Sequence, residues 1–117
     1  MKAVAQQRLK TNFKLRVHDW AAKLDVRITR LTVRAMRSKW ASCSTDGRLT
    51  FNSDLLPLAE DLWDYVIVHE LLHFFAPNHG KLWKSLMRAH LGDWEQTSRR
   101  LQEFQAIPTT QGGSGDN

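Results

Sequence analysis

The run His69-Glu70-Leu71-Leu72-His73 holds the residues best suited to chemistry. On a helix, two histidines four positions apart sit about 40° apart around the axis and about 6 Å apart along it. Both imidazoles can then reach one metal ion from the same face. Glu70 lies about 100° round from His69. From there its carboxylate can take a proton from a water molecule beside the ion without ligating the ion itself. This is the spacing that metal-assisted hydrolysis needs. With 5 His in 117 residues, chance supplies such a pattern only about 0.007 times per chain of this composition. Two histidines and a glutamate on a helix this apolar are costly to bury without partners, and a metal answers that need for the histidines.

A tetrahedral site with one open position needs a third protein ligand. His18, His79, His90 and the acidic residues are the candidates. His79 fits best. It follows Phe75-Ala76-Pro77-Asn78, where the chain must reverse and swing His79 back toward the helix end. Helix capping is its alternative role. The spacing of the three histidines matches that of metzincin proteases. Ala76 stands where those enzymes have Gly, and Met87 falls inside a helical pattern rather than in their Met-turn. His90 reads either as a core histidine or as a group that orients substrate or stabilises an oxyanion. His18, beside Asp19, reads as a surface residue. Asp64 either orients a ligand or serves the dipole of its own helix. Cys43 reads as a small core residue.

The positioning elements follow from periodicity. Residues 3–24 form an amphipathic helix with Leu9, Phe13, Val17, Trp20 and Leu24 on one face. Leu31, Val33 and Ala35 alternate with polar positions, as in a half-buried strand. Lys39–Ser44 and Arg48–Asn52 flank Thr45-Asp46-Gly47, a hairpin with Leu49 and Phe51 buried. Pro57 suits the first turn of the next helix, with Glu60, Asp61 and Asp64 near its positive end. That helix runs to about Phe75 and is apolar on nearly every side, so it must be covered on more than one face. Residues 80–91 form another helix with Leu82, Trp83, Leu86, Met87 and His90 inward. Gly92 closes it. Asp93 and Gln96 cap a last helix to about Gln105, its inner face being Trp94, Thr97, Leu101 and Phe104. The expectation is an α+β domain over residues 1–106, with a three-stranded antiparallel sheet and a disordered tail at 107–117.

The chain has 117 residues and 42% apolar content, which is room for one small core. A single Cys excludes an intrachain disulfide and a Cys-rich zinc ribbon, and suits a reducing compartment. No secretory signal or membrane span is legible, so a cytoplasmic location and no membrane partner are expected. Charge is uneven. Residues 1–48 hold twelve Lys and Arg against three Asp, a net +9; residues 49–117 hold five against nine acids, a net −4. The basic half is a solvated face or a dock for nucleic acid or an acidic partner.

The segment from Arg37 to Leu101 resembles the YgjP-type zinc metallopeptidases, relatives of the SprT-type and WLM domains. The resemblance is carried by Ser38-Lys39-Trp40-Ala41-Ser42-Cys43-Ser44, by Gly47-Arg48-Leu49-Thr50-Phe51-Asn52, and by Pro57. It continues through Asp64-Tyr65-Val66-Ile67-Val68-His69-Glu70-Leu71-Leu72-His73, Asn78-His79, Trp83 and Asp93-Trp94. Ala41 stands where the family usually has Gly. The chain corresponds to little more than the C-terminal half of longer members. The resemblance implies a minimal zincin fold, one Zn2+ per chain on His69, His73 and His79, Glu70 as the catalytic residue, and a peptide or protein substrate. The strand beginning at Trp40 either lies beside the cleft, where an extended peptide can pair with it, or is buried by its neighbours. The competing function is a non-enzymatic zinc-containing module that docks nucleic acid or an acidic partner through the basic half.

Overall fold

The most apolar segment sits at the centre of the structure. The computed structural model describes residues 2–104. The expected tail at 107–117 lies outside the described residues. The elements in chain order are α1 (Lys2–Leu24), β1 (Arg30–Arg34), β2 (Ala41–Cys43), β3 (Arg48–Asn52), a short 3-10 turn (Ser53–Leu55), α2 (Glu60–Leu72), α3 (Lys81–Leu91) and α4 (Trp94–Gln102). α2 touches α1, α3, α4 and β2, the all-round cover its composition demands. Among the described residues, no helix is long and apolar enough to cross a membrane.

The fold is the expected α+β, with one correction to the sheet. Its strand order is β1-β3-β2. β2 and β3 form the expected antiparallel hairpin, but β1 pairs with β3 in parallel, Val33 opposite Phe51. Parallel pairing requires a connection of a dozen or so residues, and residues 35–47 supply it by way of β2 itself. Gly47 adopts a φ of 95° at the hairpin turn, and a Cβ there would meet the Arg27 carbonyl oxygen at 2.9 Å.

Phe13 joins the layers. Its ring packs edge-on against Phe51 of β3 and Trp63 of α2, each at 5.1 Å between centroids. α1 ends at Leu24; Asp25 after it takes a left-handed φ of 58°, and the Val26 amide donates to the Ala21 carbonyl at 2.9 Å. The stretch from Pro57 is not helical as expected: α2 starts at Glu60, because Ser53–Leu55 coils first. The Trp63 indole donates to the Leu55 carbonyl at 2.7 Å and locks that coil onto α2. Three apolar expectations fail at the surface. Ala35, Leu82 and Phe104 are exposed, while Val33, Trp83 and Leu101 on the same elements or beside them are buried.

Asn52 is the buried polar residue that shapes the approach to β2. Its side-chain NH2 donates to the carbonyls of Met36 and Lys39 at 3.2 and 2.9 Å, and its oxygen accepts from the Asp54 amide at 2.9 Å. Its own amide donates to the Trp40 carbonyl at 2.8 Å. One side chain thus holds the whole loop between β1 and β2. Asn52→Ala removes three bonds and strands two loop carbonyls, so it should destabilise the domain by about 2–3 kcal/mol in denaturant unfolding.

Candidate metal centre

The last turn of α2 carries His69 and Glu70, and His73 caps its C-terminus. After Leu72 the ladder tightens: the amides of His73, Phe74 and Phe75 donate to the carbonyls three residues back, at 2.9–3.2 Å. This closes the helix earlier than Phe75, the expected end. The chain then reverses through Pro77 and Asn78, and the Asn78 side chain accepts from the Gly80 amide at 3.0 Å. The reversal brings His79 back over the helix end.

His69, His73 and His79 converge. One ring nitrogen from each lies within 4.8 Å of the other two, and these three residues form the group among the described residues able to hold a metal. His73 Nε2 and His79 Nε2 are 3.1 Å apart. Two nitrogens bound about 2.0 Å from a tetrahedral ion stand about 3.3 Å apart, so the spacing is already near that of ligands. His69 Nε2 is buried without a hydrogen-bond partner. An orphan of that kind costs about 1–3 kcal/mol, and a cation between the rings would meet it. Two of the other nitrogens face groups outside the cluster. His73 Nδ1 faces the Ala76 carbonyl at 3.3 Å, and His69 Nδ1 faces the Tyr65 hydroxyl at 3.4 Å. The donor set fits a nitrogen-preferring divalent ion.

Burial lowers the pKa of all three imidazoles and so favours the neutral form that ligation requires. It is the largest cause in each case. His69 is pushed down to about 3, helped by the charges of His73 and His79. His73 is lowered although the Ala76 and Pro77 carbonyls oppose the shift; His79 is lowered further by His73 and Lys84. Trp83 forms the apolar wall. Its ring lies 4.4 Å from that of His79 and 5.0 Å from that of His69, and it stacks on His73 at 6.3 Å.

Glu70 is only 8% exposed and stands outside the histidine group. Cys43 of β2 approaches its backbone carbonyl at 3.9 Å. Burial first, then the negative charge of Glu70, pushes the Cys43 thiol up to about 12. It stays protonated and half-buried in the sheet.

The remaining candidates are placed elsewhere. The Asp64 carboxylate accepts Arg16 Nε at 2.6 Å, Arg16 Nη2 at 3.0 Å and the Trp20 indole at 2.8 Å, which makes it a clamp between α2 and α1. His90 is exposed and packs edge-on against Trp20, outside the cluster. Trp40 is half-buried against the core at the start of β2, its indole nitrogen buried without a partner. His18 is on the surface. Sequence reasoning passed over Tyr65, whose signal was its place one helical turn before His69, and Ser98, for which the sequence held none. It read Trp83 as a core residue alone.

A small mixed sheet on a central helix, whose end presents convergent histidines, defines a minimal zincin fold. Residues 1–104 match the family described as YgjP-like, metallopeptidase domain, and the chain belongs to that family. The match includes α1 as well as the segment from Arg37 onward. Two crystal structures of metallopeptidase zymogens share the fold. Jannalysin of Methanocaldococcus jannaschii superposes with a TM-score of 0.70 at 23% identity, over 78% of this chain and 94% of that one. Abylysin of Pyrococcus abyssi gives 0.66 at 20% identity, over 80% and 95%. No curated protein matches. Family membership makes this a metallopeptidase domain, a class that acts on peptides or proteins.

The histidine shifts set an acid limit on the metal-free protein. Below about pH 6.5 the unfolded chain takes up protons that the folded chain refuses, so its stability should fall as pH drops toward about 3. Denaturant midpoints of the metal-free protein between pH 7 and pH 4 check this. Saturation with metal should shift the decline to lower pH.

Proposed function

We propose that the domain is a zinc-dependent peptidase, with one ion held by His69, His73 and His79 and with Glu70 as general base and then general acid. The observation that carries this is the convergence of three imidazole nitrogens, one of them buried without any other partner. When bound, zinc supplies two things: it lowers the pKa of water toward about 7 and it polarises a carbonyl. The chain does the rest. Glu70 follows His69 directly and is turned about 100° round the helix, so its carboxylate stands beside the triad without joining it. It accepts a proton from the attacking water and returns that proton to the leaving amine. β2 offers a place for substrate. It is an edge strand of the sheet, it lies against α2, and an extended peptide can add to it by main-chain hydrogen bonds. Trp40 stands where that edge begins.

Glu70→Gln preserves shape and removes the proton acceptor. It should keep about one zinc per chain by elemental analysis while peptide hydrolysis falls at least about 100-fold. His69→Ala and His79→Ala should each lose the zinc. A wild-type protein that holds zinc and cleaves no peptide, or a Glu70→Gln protein as active as wild type, would overturn the proposal. The first of those outcomes is what a purely binding module predicts.

A further inference from the structure

A neutral imidazole carries one N–H. If His69 presents Nε2 to a cation, its proton sits on Nδ1 and needs an acceptor. For His73 the corresponding acceptor is a backbone carbonyl, that of Ala76, which cannot change its polarity. For His69 the group in reach is the Tyr65 hydroxyl, at 3.4 Å. A hydroxyl can either accept or donate. Pointed at Nδ1 as a donor, it would favour the tautomer that blocks Nε2. The Tyr65 hydroxyl also lies 3.1 Å from Ser98 Oγ; when it donates its proton there, it turns a lone pair toward His69. Tyr65 is buried, and its ring packs edge-on against His69 at 5.6 Å and 78°. Ser98 belongs to α4, an element that gives no residue to the histidine group.

We propose that Tyr65 is a positioning residue for the metal centre, and that Ser98 sets the direction of its hydrogen bond. The relay runs His69 to Tyr65 to Ser98. It selects the Nδ1–H tautomer of His69, fixes the plane of the ring, and makes α4 part of the site. The proposal rests on His69 being a zinc ligand, as read above, and extends that reading to two residues that touch neither metal nor substrate.

The test compares wild type, Tyr65→Phe, Ser98→Ala and Ser98→Thr. Zinc affinity is measured by competition with a chromophoric chelator. The His69 tautomer is read from imidazole nitrogen shifts in the metal-free protein. Tyr65→Phe keeps the ring and loses the hydroxyl, so zinc should bind about 10–100-fold more weakly. Ser98→Ala should weaken binding several-fold and move His69 toward the Nε2–H tautomer. Ser98→Thr, which restores a hydroxyl, should return both readouts toward wild type. Wild-type zinc affinity in Tyr65→Phe overturns the relay. So does an Nε2–H tautomer in wild-type His69, or a loss of affinity confined to variants whose metal-free form is unfolded. If wild type itself binds no zinc, the metal assignment falls, and the tautomer measurement alone decides the relay.

Discussion

Three imidazole nitrogens crowded at one helix end repel one another unless something positive lies between them, and the scaffold must hold them there. That demand organises the rest of the structure. α2 is anchored at three levels along its length. The Asp61 carboxylate pairs with Arg100 of α4. One turn on, Asp64 is gripped by Arg16 and Trp20 of α1. Further on, the apolar residues Ile67, Val68, Leu71 and Leu72 are sealed in the core. With the helix axis fixed in this way, His69 and His73 need only their own spacing to aim at one point. His79 arrives separately, through a turn shaped by Pro77 and Asn78. Trp83 then closes the apolar side of the cluster, which keeps the local dielectric low and strengthens any charge interaction made there.

The parts of the site that were legible in the sequence are the ones fixed by local geometry. A helix of known pitch determines how two histidines four apart must lie. A proline after an apolar run determines that the chain must turn. The same holds for the Asp46-Gly47 hairpin and for Gly92, which takes the positive φ its place after α3 suggested. What was not legible depends on partners distant in the chain. Asp64 had two plausible local roles, and its actual partner is Arg16, 48 residues away. Nothing in the spacing of Tyr65 and His69 points to Ser98, because the contact exists only after α4 has docked.

Two misreadings share a cause. Alternation in residues 31–35 shows which side of a strand is apolar, but it carries no information about the direction of the neighbouring strand. An antiparallel meander and the observed mixed sheet bury the same residues. Likewise, Leu82 and Phe104 lie in the expected apolar stripes of their helices yet stand at the margin of each stripe. A core this small covers only the middle of a stripe: Trp83 and Met87 on α3, Trp94 and Leu101 on α4.

The strand order also imposes a schedule on folding. β2 and β3 meet across a four-residue turn and can zip together as soon as both exist. β1 has no partner among the described strands except β3, which follows β2 in the chain. During synthesis β1 therefore emerges before the strand it pairs with, and its ladder to β3 cannot form until residues 48–52 have been made.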